Sequence, residues 1–301
     1  MWLVYVAVGV VAVIFYFFND GVARDAIYHL IGISAPVAIF FGVRRWRPSC
    51  PAAWYLILAG LLAWVIGDVA FSFYGRVLGI EAPYPSVADA IYLAAYPLVC
   101  GGFFLMIRAR AHGPDRTALL DTAILATGLG VLAYEFLMSP YLEDFSLPVL
   151  ERLVSAAYPF MDFLVIAVVI RLAFTPELRS KANYLLFGAV AFYLTADVIY
   201  AEAALRGAYS PGDPIDAGWL LSYLLFGATA LHPTMRTLTE PSPARTAMLT
   251  RLRLALLIAT VIALPLTLVV RELDRADGGS LVIIGGPWSC SCSCSRAWTA
   301  W

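Results

Sequence analysis

The amino-acid sequence predicts an all-α fold, a polytopic transmembrane helix bundle of about nine spans with a parallel internal repeat. Hydrophobic residues make up 61% of the 301 residues and charged residues only 14%, with a mean hydropathy of +0.81. Water-soluble domains carry about 25% charged residues. Nine apolar stretches reach or approach the roughly 20 residues that an α-helix needs to cross a bilayer, and two polar segments recur four spans apart.

The nine stretches run through residues 1–271, which we interpret as one multi-pass membrane module. The first and eighth are short. The first lacks the basic segment and the small-residue cleavage site of a signal peptide, so we expect it to be retained as a span. The predicted spans are Met1–Phe18, Ala26–Val43, Ala52–Tyr74, Ala88–Ile107, Ala118–Met138, Val149–Ile170, Asn183–Leu205, Asp216–Leu231 and Leu252–Val270.

Lysine and arginine residues alternate between the connections. Thirteen lie in the second, fourth, sixth and eighth connections, and five in the odd-numbered ones. Because basic residues collect on the cytoplasmic side, this pattern predicts a plasma-membrane protein with a cytoplasmic N-terminus. The residues after Val270 would then lie outside, and one further span would return them to the cytoplasm. The net charge of −1 provides no basic field, so the expected partner is the lipid bilayer and not nucleic acid.

Residues 272–301 form a tail that we interpret as the aberrant or frameshifted remnant of a tenth span. The tail begins with the apolar run Leu281–Ile284 and then alternates serine with Cys290, Cys292 and Cys294. A one-base offset in a GC-rich gene converts codons for leucine and valine into such an alternation. A short tail without special role is the first alternative. A soft-metal cluster is the second, but the spacing does not match structural zinc sites, and we expect no metal.

The internal repeat pairs spans three and four with spans seven and eight. In each copy an aspartate follows a long apolar stretch, and the motif Asp-Ala-x-Tyr/Trp-Leu-x-x-Tyr opens the next span. The two aspartates are separated by 21 positions in the first copy and 19 in the second. Because the copies lie four spans apart, they have the same orientation, whereas transporters often contain inverted repeats. The matched residues are Asp68, Asp89, Tyr92 and Tyr96 in one copy and Asp197, Asp216, Trp219 and Tyr223 in the other.

These eight residues are the candidate ligand-binding site. Carboxylates accept hydrogen bonds and aromatic faces attract cations, so together they could bind an unknown small cationic or polar ligand from the outer face. The alternative for Asp25, Asp89 and Asp216 is helix capping, and tyrosine and tryptophan also form ordinary belts at membrane interfaces. Asp68 and Asp197 fit capping less well because each follows a long apolar stretch.

Asp162 is the carboxylate predicted to lie deepest, in the middle of span six after Tyr158 and Pro159. Proline frees a backbone carbonyl and can kink the helix, and a carboxylate at mid-membrane should face the bundle interior. We therefore treat Asp162, Tyr158 and Pro159 as a candidate intramembrane polar relay. The alternative is a structural hydrogen bond from a neighbouring tyrosine or serine.

Several segments resemble the N-terminal membrane module of actinobacterial GGDEF/EAL proteins, which synthesise or degrade cyclic di-GMP. The resemblance covers roughly residues 25 to 270. The segments that carry it are Pro85–Pro97, Asp115–Asp121, Leu153–Pro159 with Asp162, Ala196–Val198, and Asp216–Leu220 through Leu231–Arg236.

This resemblance implies a membrane-embedded sensory or anchoring input module, with a possible homodimer passing the signal to cytoplasmic output domains. The chain contains no GGDEF or EAL motif, and we interpret it as truncated before such domains. It also carries no nucleotide-binding, metalloprotease or hydrolase motif. We therefore expect no enzyme activity and no cofactor. The alternatives are a small-solute or proton-coupled transporter and an inactive membrane fragment.

Overall fold

The computed structural model describes residues 1–80, 82–110, 116–173, 180–205 and 209–241. Within these ranges the chain is helical and contains no β-strand, which confirms the predicted all-α class. The predicted ninth span, Leu252–Val270, and the predicted tail, residues 272–301, lie outside the described residues. The count of nine spans therefore stays a prediction.

Eight main helices correspond to the first eight predicted spans. A π-helical turn follows the third helix at Tyr74–Leu78 and another follows the fifth at Tyr134–Met138, while a 3-10 turn, Pro233–Leu238, follows the eighth. A four-residue helix, Ser139–Leu142, follows the second π-helical turn. The main helices are α1 (Trp2–Phe17), α2 (Gly21–Trp46), α3 (Pro51–Phe73), α4 (Val87–Arg110), α5 (Arg116–Ala133), α6 (Val149–Ala173), α7 (Lys181–Leu205) and α8 (Asp216–Leu231).

Five of these helices are long and apolar enough to cross a membrane, namely α2, α3 with its π-helical turn, α4, α6 and most of α7. Helices α1 and α8 and the apolar part of α5 are shorter. Many large apolar side chains face outward, including Leu3, Val8 and Phe41, which are 58–65% exposed. Large apolar side chains exposed on several helices are unfavourable in water but suit contact with lipid, so the chain is a helical membrane protein.

The core lies between α2, α3, α4 and α8. Helix α1 packs against α2 and α8, α6 packs against α4 and α5, and α7 packs against α8. Trp54, Tyr96, Phe103 and Phe226 are among the largest side chains buried there. Helices α3 and α4 form one antiparallel hairpin and α7 and α8 another, so α3 and α7 end where α4 and α8 begin. We call this side of the bundle the carboxylate end.

Glycines bring the central helices into close contact. A Cβ atom at Gly60 of α3 would lie 2.5 Å from Val99 Cγ2, and one at Gly102 of α4 would lie 2.7 Å from the backbone oxygen of Ala53. Because lipid tails are as apolar as the helix surfaces, the hydrophobic effect does not drive helix association within a bilayer. Small residues at helix contacts favour association because they allow closer van der Waals packing. These glycines therefore hold the α3–α4 hairpin at short distance.

Gly42 makes the closest approach between α2 and α8, since a Cβ atom there would strike the backbone oxygen of Ala230. We expect Gly42→Ala to lower the free energy of unfolding by about 1–3 kcal/mol, because backbone cannot move aside as a side chain can. Gly101→Ala is the matched control, since its Cβ atom would meet only Leu56 Cδ1 at 3.4 Å. Thermal unfolding in detergent measures both, and equal stability of the two variants would contradict the close α2–α8 contact.

Candidate functional site

Four aspartates near the carboxylate end, and a fifth deeper in α6, each accept hydrogen bonds from tyrosine or tryptophan side chains of other helices or of the adjoining loops. We call these aspartates and their aromatic donors the carboxylate network. Buried polar groups in a membrane bundle need partners inside the protein, because lipid supplies none. The aspartates are Asp68, Asp89, Asp162, Asp197 and Asp216, and the donors are Tyr16, Tyr92, Tyr96, Tyr158, Tyr209, Trp219 and Tyr223.

Asp68, in the last turns of α3, accepts one hydrogen bond on each carboxylate oxygen. The hydroxyl of Tyr92 on α4 donates to Oδ1 at 2.9 Å. The hydroxyl of Tyr223 on α8 donates to Oδ2 at 3.2 Å. Asp68 thus connects its own hairpin with the α7–α8 hairpin.

Asp197 of α7 accepts in the same pattern. Trp219 Nε1, on the following helix, donates to Oδ1 at 2.6 Å. The hydroxyl of Tyr96 on α4 lies 3.3 Å from Oδ2. Asp197 therefore also connects the two hairpins.

The partners of these two aspartates are exchanged reciprocally between the hairpins. Tyr92 and Trp219 hold matched positions in the predicted repeat, and each donates to the aspartate of its own hairpin. Tyr96 and Tyr223 are also matched, and each donates to the aspartate of the opposite hairpin. The matched residues thus make equivalent hydrogen bonds in the two hairpins. The repeat itself stays a prediction from the sequence.

Asp162 extends the network towards the middle of the bundle. It lies about 20 Å along α6 from the helix start, at 1.5 Å per residue, and its Oδ1 accepts from the Tyr96 hydroxyl at 3.0 Å. The Tyr193 hydroxyl in turn donates to the Tyr96 oxygen at 2.7 Å. Asp162 and Asp197 therefore share the Tyr96 hydroxyl, which lies 3.0 Å from Oδ1 of the first and 3.3 Å from Oδ2 of the second. Because a hydroxyl has a single hydrogen, it can donate to only one of the two carboxyl groups at a time.

A stacked aromatic pair, which sequence reasoning missed, lies beside these groups. Trp64 and Tyr193 stack with ring centroids 4.4 Å apart and an interplanar angle of 19°. Trp64 precedes Asp68 by four residues and Tyr193 precedes Asp197 by four, so each aromatic lies on the same helix face as its aspartate. This shared spacing was the signal that could have extended the predicted repeat by one turn.

Asp89 combines capping with a contact to another helix. Its Oδ2 accepts from the backbone N–H of Ser86 at 2.7 Å and from the Ser86 hydroxyl at 2.8 Å, as an acidic residue does in a capping arrangement at a helix start. Its Oδ1 accepts from the hydroxyl of Tyr158 on α6 at 2.7 Å. The capping alternative therefore describes part of the environment of Asp89, and its role in ligand binding stays a prediction.

Asp216, at the first turn of α8, is only 1% exposed. It accepts from the backbone N–H of Gly212 at 2.7 Å, from the Tyr209 hydroxyl at 2.9 Å, and from the Tyr16 hydroxyl of α1. Burial and the nearby Asp216 carboxylate raise the pKa of Tyr209, which keeps its hydroxyl a donor. Tyr16 was missed because α1 contains no copy of the repeated motif.

Asp25 differs from the expectation, and the residues of the predicted relay have separate partners. Asp25 is not a helix cap, because α2 begins at Gly21 with Asp20 in the capping position; Asp25 instead pairs with Arg76 Nε at 2.5 Å. Tyr158 and Asp162 share α6 but bind different partners, Asp89 and Tyr96. Pro159 lies between them, buried inside the helix, so the three residues do not form one continuous chain of hydrogen bonds.

Comparison with protein-family models, with curated proteins and with solved structures finds no significant match. Among the described residues, no three histidine, cysteine or acidic side chains are grouped as a metal ion would require. The chemistry of the site is therefore that of desolvated carboxylates with aromatic hydrogen-bond donors.

Tyr96 makes more polar contacts than any other tyrosine of the network, so its hydroxyl should matter most for stability. We expect Tyr96→Phe to lower the free energy of unfolding by about 1–3 kcal/mol, since two buried carboxyl groups lose the one hydroxyl that they share. Tyr55→Phe is the control, because Tyr55 is 41% exposed. Circular dichroism follows the unfolding of both variants in the same detergent. If Tyr96→Phe were as stable as wild type, the network would be contradicted.

Proposed function

We propose that the chain is a sensory or anchoring input module of a cyclic di-GMP signalling protein, located in the plasma membrane with its N-terminus in the cytoplasm. The observation that carries the proposal is the reciprocal exchange, in which Tyr96 donates to Asp197 and Tyr223 donates to Asp68. The resemblance to the membrane modules of GGDEF/EAL proteins supports the same role. The thirteen-to-five distribution of basic residues supports the orientation.

The reciprocal hydrogen bonds make the two hairpins depend on each other. Displacing Tyr223 from Asp68 leaves the Tyr223 hydroxyl without its acceptor, and Tyr223 belongs to the opposite hairpin. In a low dielectric, unpaired polar groups are costly, so the hairpins would shift until the groups are paired again. Such a shift between two discrete arrangements is how a change at one end of a bundle reaches the other.

A small cationic ligand arriving from the outer face would act on this network directly. An ammonium or guanidinium group makes charge-assisted hydrogen bonds with carboxylates that are stronger than those from a neutral tyrosine hydroxyl. It would therefore displace tyrosine donors from Asp68 or Asp216 and release the helices that they connect. A homodimer would carry the resulting movement to cytoplasmic domains.

A chimera tests the proposal. Residues 1–241 of this chain replace the corresponding spans of a GGDEF/EAL protein, which keeps its own final spans and output domains. We expect Asp68→Asn together with Asp197→Asn to change the cyclic di-GMP turnover of the chimera by about fivefold or more, a typical coupling between distant sites. Cellular cyclic di-GMP, measured by mass spectrometry, is the readout.

The matched control is Asp20→Asn, since the Asp20 side chain is 88% exposed and lies outside the carboxylate network. Asparagine preserves the size of the side chain, and the ion pair with Arg24 that it weakens does not involve a carboxylate of the network. Unchanged turnover in the double variant, in a chimera that is inserted and active, would contradict the sensory role of the network.

A proton-coupled transporter of small solutes is the second candidate, favoured by the two carboxyl groups, Asp162 and Asp197, that share the Tyr96 hydroxyl inside the bundle. Carboxylates that exchange a proton within a membrane are typical of proton relays. The parallel order of the matched segments argues against it, since inverted repeats are the commoner transporter design.

For this candidate we expect concentrative uptake of solute by proteoliposomes that carry an imposed proton gradient. Asp162→Asn would abolish that uptake, because an amide cannot release a proton to the pathway. The control is again Asp20→Asn. Equal accumulation by wild type and protein-free liposomes, over a panel of amines and amino acids, would exclude this second function for the solutes tested.

A further inference from the structure

A cleft of about 510 Å³ opens between α1, α2 and α8, far from the carboxylate network. Its walls are mostly apolar and include Val37, Ala38, Phe41 and Leu231. At the end where α2 finishes, Arg44 and Arg45 complete the lining. The volume lies within the range of ordinary small-molecule sites, and the cleft combines a long apolar wall with a cationic rim.

The two arginines are held by aromatic rings. The guanidinium carbon of Arg44 lies 4.4 Å from the ring centre of Phe40, and that of Arg45 lies 5.2 Å from the ring centre of Trp46. A cation on an aromatic face keeps the N–H donors at its edge available for an anion. Among the described residues, no carboxylate forms an ion pair with either arginine.

The only hydroxyl groups in the cleft wall satisfy each other. Tyr5 and Ser34 are hydrogen-bonded at 2.8 Å, and the Ser34 hydroxyl also donates to the Ile31 backbone oxygen at 2.6 Å. Ser34 lies about 15 Å along α2 from Arg44, at 1.5 Å per residue. Between Ser34 and Arg44 the wall of the cleft on α2 therefore presents an apolar surface, formed by Val37, Ala38 and Phe41, to a hydrocarbon chain.

We propose that this cleft binds one anionic phospholipid, with the phosphate against Arg44 and Arg45 and an acyl chain along Val37, Ala38 and Phe41. Two forked guanidinium groups match phosphate oxygens, and basic pockets between transmembrane helices bind anionic headgroups on the cytoplasmic side. The predicted orientation places α2's arginine end in that leaflet. This lipid site does not depend on whether the chain is a sensory module or a transporter.

The test uses the purified full-length chain in mixed micelles that contain equal amounts of phosphatidylglycerol and phosphatidylcholine. Native mass spectrometry counts each lipid retained. We expect wild type to prefer phosphatidylglycerol, and Arg44→Gln with Arg45→Gln to reduce that preference on the order of tenfold. Arg47→Gln is the matched control, because Arg47 is exposed and belongs to the same connection but does not line the cleft.

A second variant fills the apolar wall while both arginines remain. Val37 is 48% exposed and lines the cleft, so Val37→Trp occupies space needed by the acyl chain without crowding the core. We expect it to lower the retained phosphatidylglycerol as strongly as the arginine substitutions do. A thermal transition equal to that of wild type shows that each variant is folded.

Four results would overturn the proposal. The first is a wild-type protein that retains both lipids equally. The second is a loss of the phosphatidylglycerol preference in Arg47→Gln that equals the loss in the double arginine variant, which would indicate a diffuse surface charge. The third is displacement of the lipid by millimolar inorganic phosphate, which would indicate a site for the free anion. The fourth is a photo-crosslinker at position 37 that links only to another segment of this chain.

Discussion

The described part of the bundle depends on a hydrogen-bond donor for each of the five aspartates of the carboxylate network. Lipid provides no donors, so the tyrosines and Trp219 that point at these carboxylates decide which helices can be neighbours. Asp68 requires both α4 and α8, and Asp197 requires the same two helices from the other side. Apolar packing through Gly42, Gly60 and Gly102 then brings the backbones close enough for these bonds to form.

The helical class and the helix positions follow from the sequence because hydropathy is a local property. Helix α8 begins and ends where the apolar stretch does, at Asp216 and Leu231. The aspartates and tyrosines of the site could also be found, since charged residues within spans are conspicuous. Their pairing could not be found, because nothing local specifies that Tyr223 reaches Asp68 over 155 positions.

Residues outside the repeated motif also show that long-range pairing cannot be predicted from the sequence. Tyr16 resembles any interfacial tyrosine until α1 is seen packed on α8 beside Asp216. Tyr193 and Trp64 read as ordinary apolar-face aromatics, and only their stacking reveals a contact between the hairpins. Asp25 looked like a cap because α2 was expected to begin five residues later than it does. Long-range partners, not residue types, were therefore the missing information.

The reciprocal exchange has a consequence for biosynthesis. When α3 and α4 enter the membrane, Asp68 already has Tyr92, but its second donor, Tyr223, is still to be translated. At 5–20 residues per second the ribosome needs on the order of 10 s to synthesise the intervening chain. During that interval the first hairpin is an incomplete insertion intermediate with a half-satisfied carboxylate. The translocon or a membrane chaperone would have to shelter it until α8 arrives.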